Sequence, residues 1–304
     1  MSILSAPFFH DEAAAYAKLE SIVWPNGPAC PHCGGLERIT AVRGKTARIG
    51  LRRCGDCKLQ FRVTVGTVFE RSHIPLHKWL QAAYLMCASK KGIAAHQLHR
   101  TLEITYKTAW FMEHRLREAM TRPPVDKLGG RGKKVEADET YWGLKKGAKR
   151  AKGGFQHKNT IMALVERGAS VRSFHIPSST RETVRAVLHG NVEQASHLMT
   201  DEAKHYRKLG REFAKHTALN HTRKEYVRGE AHTNTIEGVF SIFKRGMTGI
   251  YQHCGEQHLK RYLAEFDFRY NHRAALGIDD AARAEKVLGG IVGKRLMYRD
   301  SSVA

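Results

Sequence analysis

The spacing of apolar residues changes character twice along the chain. Residues 9–20 carry apolar side chains at intervals that predict a short amphipathic helix. Residues 26–70 lose that rhythm; they are turn-rich and hold two strand-like pieces, "ARIGLRRC" and "LQFRVTVG". Helical spacing returns over 75–122, where Leu76, Trp79, Leu80, Ala83 and Tyr84 share one face and "GIAAHQLHRTLEITYKTAWFMEHRLREAM" divides into two helices around "LEIT". "RPPVDKLGGRGKK" reads as a linker from its Pro, Gly and Lys content. From residue 135 the period shortens. "KKVEADETYWG", "NTIMALVER" and "SVRSFHI" predict three strands, "SSTRETVRAVLHG" a helix, and "SHLMTDEA" a fourth strand running into a helix. "TIEGVFSIFKRGM" and "EQHLKRYLAEFDFRYNHR" predict later helices. The expected order is an N-terminal helix (1–25), a cysteine module (26–70), a helical segment (71–122), a linker (123–134), an α/β layer (135–275) and a C-terminal tail (276–304). No internal repeat or low-complexity segment is present.

Composition narrows the function classes. The chain has 304 residues, 51 Lys and Arg against 29 Asp and Glu, and a formal net charge of +22. Residues 1–134 hold 22 basic and 10 acidic residues, and residues 135–304 hold 29 and 19, so both parts are basic. A polyanion that touches most of the molecule is the natural partner, and nucleic acid is the usual one. No apolar run approaches the roughly 18 residues of a membrane span. The first twenty residues lack the basic start of a signal peptide. A cytoplasmic, reducing location is therefore expected, where paired cysteines read as metal ligands.

Four of the six cysteines form two Cys-x-x-Cys pairs, Cys30 with Cys33 and Cys54 with Cys57, twenty residues apart. Two such knuckles supply four thiolates, the set that suits one tetrahedral zinc. No ligand position remains for water, so the expected role is structural: zinc stabilises a module too small to bury its own core. A redox role explains one pair but not two matched ones. His32 is not expected as a ligand, and Cys87 and Cys254 read as core or surface thiols. Arg48, Arg52, Arg53, Lys58 and Arg62 cluster around the module, and Arg52, Arg53 and Lys58 are candidate DNA contacts. The helix pair that follows has the layout of a helix-turn-helix or of a plain helical hairpin. Its second helix presents Thr105, Tyr106, Lys107 and Thr108 at its start, and Thr105 and Lys107 are the candidates to meet DNA there. The basic turn "KKGAKRAKGG" adds Lys145, Lys146, Lys149 and Arg150.

Three acids stand out downstream. Asp138 and Asp201 each sit near the end of an expected strand and Glu237 opens a helix, at separations of 63 and 36 residues. Carboxylates at strand ends, joined by one from a helix packed on the sheet, form a hard oxygen site of the kind that binds Mg²⁺. Each also has a plain reading. Glu136 or Glu139 could replace Asp138, although alternation puts 136 with 138 on one face and 139 on the other. Asp201 could cap a helix, and Glu237 could close a capping box with Asn234. Lys244 lies two helical turns beyond Glu237 on the same face, suited to hold a DNA phosphate; Arg245 points about 100° away and is a further candidate DNA contact.

In this order the zinc ribbon, the helix pair, "VEADETYWG", "MTDEA", "HTNTIEGVFSIFKRGMTGIYQH" and "HLKRYLAEFDFRYNHR" resemble prokaryotic insertion-sequence transposases of the DDE type. Among these the chain is similar to the group with an N-terminal zinc ribbon and an α/β ribonuclease-H-like catalytic domain, a mixed sheet with flanking helices. The resemblance covers about residues 15–275, and its last two motifs are the specific ones. It implies an acidic triad at Asp138, Asp201 and Glu237 and a basic residue at Lys244. Some relatives use Asn as third ligand, which makes Asn234 the competitor of Glu237. It further implies two Mg²⁺ ions, replaceable by Mn²⁺, beside the one structural Zn²⁺. The partner would be double-stranded DNA, both terminal inverted repeats and target, with a homodimer on paired ends, no membrane, and a nucleoid-associated location. The implied reaction is phosphoryl transfer: strand cleavage at the element's end, then attack of the freed 3′-hydroxyl on target DNA, without a covalent protein–DNA intermediate. The alternatives are a zinc-ribbon, helix-turn-helix regulator without catalysis and a structure-selective nuclease of the same fold.

Overall fold

The computed structural model describes residues 3–121, 126–219 and 227–297. The chain forms two compact units, one from residues 1–122 with 273–304 and the other from residues 123–272. Residues 123–125 of the expected linker and 298–304 of the expected tail lie outside the described residues. No described helix is long and apolar enough to cross a membrane.

The first unit opens with α1 (Glu12–Val23), whose N-cap Asp11 accepts the Ala14 N–H. Strands β1 (Ile39–Ala41), β2 (Arg52–Cys54) and β3 (Gln60–Phe61) form a small antiparallel sheet. Helices α2 (Leu76–Ala88), α3 (Ala95–Leu102) and α4 (Tyr106–Met120) follow. Leu76, Trp79, Leu80 and Ala83 of the expected stripe are buried, as are Leu98, Met112 and Leu116. Between α3 and α4 the chain turns at Glu103, which adopts the left-handed conformation with φ +51°. Thr105 then caps α4 by accepting the Thr108 N–H.

The second unit is a five-stranded mixed sheet between two helical layers. The short β4 (Leu128–Gly129) is followed by β5 (Lys134–Trp142), β6 (Asn159–Glu166), β7 (Val171–Ile176), α5 (Arg181–Asn191), β8 (Val192–Glu193), β9 (His197–Asp201), α6 (Lys204–Leu209) and β10 (Lys215–Leu219). The sheet order is β10-β9-β5-β6-β7. Strands β5, β6 and β7 are antiparallel neighbours, while β5–β9 and β9–β10 pair in parallel. Strand β6 is buried on both sides: Met162 and Leu164 join one core with Val184, Leu188 and Tyr206, and Ile161, Ala163 and Val165 join the other. That explains why its sequence is an unbroken apolar run rather than an alternation. β4 pairs with β8, so the end of the expected linker carries a strand of this unit.

After a small hairpin of β11 (Val227–Arg228) and β12 (Ala231–His232), α7 (Asn234–Gly246) and α8 (Leu259–Asn271) close the second face. The apolar stripe Ile236, Val239, Phe240 and Phe243 of α7 packs there beside Leu263 and Phe266 of α8. α8 also covers the sheet edge. Asp267 accepts from the N–H and hydroxyl of Ser173, both at 2.7 Å, and Asn271 bonds both backbone groups of Val171. The polar residues of "EFDFRYN" thus protect edge strand β7 from unwanted pairing.

Residues 276–304, expected as a tail, instead carry α9 (Asp280–Leu288), which belongs to the first unit. Ala284, Val287, Leu288 and Ile291 are buried, and Arg283 donates to the Cys87 carbonyl at 2.7 Å. Val292 bridges to Thr67, and Lys294 reaches the Ala119 carbonyl. The apolar positions are few and widely spaced between charges, which made the segment read as a tail. Because Ile291 is fully buried, Ile291→Ala should lower stability by about 2–5 kcal/mol. Chemical denaturation of the full chain measures this, and an unchanged midpoint would return the segment to a dispensable tail.

Candidate active site and zinc centre

The cysteine module is built from two backbone knuckles. Cys30 and Gly35 are joined by an N–H to carbonyl bond, as are Gly34 and Cys30, and Cys54 and Leu59. Gly34 sits at φ +77°, where a side chain is disfavoured. The knuckles bring Cys30 Sγ to 3.6 Å from Cys57 Sγ and Cys33 Sγ to 3.7 Å from Cys54 Sγ. Tetrahedral zinc at about 2.3 Å per bond requires sulfurs about 3.8 Å apart, so the four ligands fit. None is in a disulfide. Burial raises the Cys30 thiol, but the N–H groups of Cys33 and His32 draw it down to about 7. The Gly35 N–H pulls Cys33 down, yet Cys30 and burial push it up to about 12. Ionising all four together calls for a bound cation. His32 is exposed and outside the cluster, and Cys87 is buried in α2.

The acids assemble through strand register. Lys134 pairs with His197, Val135 with Leu198 and Glu136 with Met199, a constant offset of 63 residues. Carried two residues further, the same offset aligns Asp138 with Asp201. Burial and the neighbouring charges of Asp201, Glu139 and Glu237 raise the Asp138 carboxyl to about 8, against the opposing Glu139 N–H. Asp201 is also raised, chiefly by burial. Asp201 Oδ1 accepts the Ala203 N–H at 3.0 Å, and Glu237 Oε1 accepts from the Thr233 hydroxyl at 3.0 Å. Among the described residues only the cysteines gather three or more ligand atoms within 4.8 Å of one another. The three carboxylates are more widely spread, but near enough for Asp201 and Glu237 to act on Asp138. Hard oxygens gathered about a carboxyl whose ionisation burial and its neighbours oppose fit a divalent cation.

The two glutamates beside Asp138 have separate tasks. Glu136, fully buried, accepts from the Ile236 N–H, the Thr235 hydroxyl and Arg167 Nε at 2.9, 2.9 and 2.6 Å. It thereby fixes the start of α7, and with it Glu237, over β5. Glu139 faces the other way and accepts from Tyr206 at 2.9 Å and from His205 Nε2 at 3.2 Å. Burial lowers His205, but the Glu139 bond and charge outweigh it and hold the imidazole above its ordinary value. On α7, Asn234 and Lys244 are exposed, and Arg245 Nε bonds the Ser241 carbonyl.

The candidate DNA contacts divide. Arg52 is turned inward, ion-paired with Glu20 and lying over Trp24, and Arg62 bonds Tyr16; both buttress the ribbon. Arg48, Arg53 and Lys58 are exposed on it. The Thr105 hydroxyl is engaged in its cap, while Lys107, two residues on, is exposed. In the basic turn Lys145 reaches the Pro177 carbonyl at 3.1 Å, and Lys146, Lys149 and Arg150 are exposed.

Residues 127–271 match the ISXO2-like transposase domain, and residues 10–60 match the transposase zinc-ribbon domain. The chain belongs to this transposase family. An uncharacterized protein in transposable element ISH50 of Halobacterium salinarum is 28% identical over 278 residues, 86% of this chain and 91% of that protein. The matched zinc-ribbon segment holds all four cysteines, and the matched transposase domain spans the second unit almost completely.

Sequence reasoning missed the α7 anchor of this transposase: Glu136 was weighed only as a substitute ligand, and nothing local signals Arg167. It also missed Phe155, half exposed in the basic turn and stacked on Tyr141 at 4.5 Å and 11°. Cys30→Ser should remove zinc from a protein that carries about one per chain, and elemental analysis of the folded, reduced chain decides this. A second expectation follows from Asp138. Its folded value of about 8 exceeds its unfolded value, so its penalty on folding grows as pH rises and is complete above about pH 8. In chelator, Asp138→Asn should melt higher than the parent at alkaline pH, the gap closing toward about pH 4. Identical melts throughout would show that neither burial nor the neighbouring carboxylates oppose ionisation of Asp138.

Proposed function

We propose that this transposase cuts DNA at the terminal inverted repeats of its element and joins the freed ends to target DNA, with Asp138, Asp201 and Glu237 holding divalent metal. The observation that carries the reading is the convergence of a parallel strand pair and the first turn of α7 on one uncompensated acidic point. Three antiparallel strands continued by two parallel ones support assigning the second unit to the ribonuclease-H-like folds. The turn at Glu103 between α3 and α4 supports a helix-turn-helix with Lys107 at the DNA-facing end. The basic surfaces of both units support double-stranded DNA as partner, and two copies acting on paired ends in the prokaryotic cytoplasm complete the proposal.

Asp138 and Asp201, side by side on the sheet, would hold one Mg²⁺ position, and Glu237 would complete the site from the helix. When bound, Mg²⁺ or Mn²⁺ supplies Lewis-acid activation of the attacking oxygen and charge stabilisation of the leaving one. Lys244 holds a phosphate oxygen as a point charge two turns along the same helix face. Glu136 keeps that face turned toward β5, so the acids and the lysine address the same phosphodiester.

Incubation of the purified protein with Mg²⁺ and the DNA flanking its own gene should give nicked and joined products; cutting without joining would indicate a nuclease. Asp138→Ala, Asp201→Ala and Glu237→Ala should each abolish both products while DNA binding stays near the parent value. Asn234→Ala should cost less than Glu237→Ala, and the opposite ranking would move the third ligand to Asn234. Lys244→Ala should slow single-turnover cleavage more than Arg245→Ala.

A further inference from the structure

A second charged feature lies on an edge of the same sheet, beside the strand that carries Asp201. Strand β10 is an edge strand, and a cleft of about 760 Å³ opens along it. Its cations come from four places: Arg207 from α6, Arg211 from the turn after it, Lys215 from the start of β10 and Arg228 from β11. Arg207, Arg211 and Lys215 are exposed and make no ion pair among the described residues. The carboxylate in the lining, Glu230, is bound to Lys134 at 2.8 Å. His197 reports the local field: burial lowers it, and Lys215, Lys134 and Arg167 lower it further. A basic cleft with three uncommitted cations is costly to leave unfilled in a chain already at +22.

Register places Lys215, on the strand that lines the cleft, relative to the acids. Lys215 pairs with His197 and Leu219 with Asp201. Four residues of strand at roughly 3.3 Å each separate the two levels by about 13 Å. One DNA strand advances about 3.4 Å per base pair, so this corresponds to about four base pairs. We propose that the β10 cleft binds the phosphate backbone of duplex DNA, with Lys215 holding a phosphate about four base pairs from the cutting point. The position relative to the cut rests on the acidic site assigned above; the binding itself does not. None of these cations stands out in the sequence, because they are dispersed over twenty-two residues and converge only when α6, β10 and β11 pack.

The test uses the full-length protein and a duplex from the DNA flanking its own gene. Binding is titrated against salt for the parent, for Arg207→Ala/Arg211→Ala/Lys215→Ala, and for the charge-keeping Arg207→Lys/Arg211→Lys/Lys215→Arg. Each phosphate contact contributes about 0.9 to the logarithmic salt slope, so the alanine triple should lose roughly 2.7 and the charge-keeping triple little. Replacing single phosphates by methylphosphonates should weaken binding of the parent about four base pairs from the nick and leave the alanine triple indifferent there. An alanine triple with the parent slope overturns the proposal, as does an equal loss in the charge-keeping triple. If the slope falls but no Mg²⁺-dependent cutting is ever seen, the cleft stands and the acidic-site reading fails. If cutting is seen and the slope does not move, the reverse holds.

Discussion

One buried carboxylate sets the geometry of the second unit. Apolar packing holds α7 against the sheet, but burial of apolar area is non-directional and tolerates rotation and sliding of a helix. Glu136 removes that freedom, because its hydrogen bonds to the Ile236 N–H, the Thr235 hydroxyl and Arg167 are satisfied together in one position. Burying the charge is costly, and the helix N-terminus and the guanidinium offset it. Arg167 in turn bonds the carbonyls of Glu230 and His232, so the hairpin before α7 is fixed by the same group. Removing one partner of such a pair costs about 3–5 kcal/mol. Glu237 and Lys244 inherit their places from this contact.

The first unit uses the same device. Helix α2 begins after Pro75, which offers no capping side chain. Glu12 of α1 supplies the cap, accepting the Leu76 and His77 N–H groups at 2.8 and 3.2 Å. By contrast α1, α4, α5 and α9 are capped by Asp11, Thr105, Thr180 and Asp279 from their own N-cap positions. A locally capped helix needs no partner to satisfy its first turn. A helix capped from another element is stable only when the two elements meet, which ties local structure to tertiary order.

This difference decides what could be read from the sequence. The four cysteines, strands β5, β6, β7 and β9, helix α5 and the opposite facing of Glu136 and Glu139 were all legible, because periodicity and ligand spacing are local. So was the pairing of Asp138 with Asp201 as candidates, though not the reason for it: a parallel register with an offset of 63 residues is a non-local fact. Strand β10 was missed because "KHTAL" is short and polar. The inward turn of Arg52 and Arg62 was missed because charge counting cannot show that Glu20 and Tyr16 stand opposite them. The role of α9 was hidden for the same reason: its stripe has meaning only beside α2.

Charge then links these features into one requirement. The chain carries a formal net charge of +22, yet Asp138, Asp201, Glu139 and Glu237 gather at one end of the sheet. On the proposed reading a phosphate must approach that end, where uncompensated carboxylates repel it. Protonation of Asp138 relieves part of the repulsion but removes a ligand; a divalent cation relieves it while keeping the ligand charged. Lys215 of the β10 cleft cannot substitute, since its register holds it about 13 Å along the strand from Asp201. On that reading metal and DNA favour each other's binding at the acids, and the coupling is reciprocal: whatever free energy the cation adds to DNA affinity, DNA adds to cation affinity. Binding elsewhere on the basic surface does not share that coupling, so metal draws the duplex toward the acids without tightening its hold on the rest of the molecule.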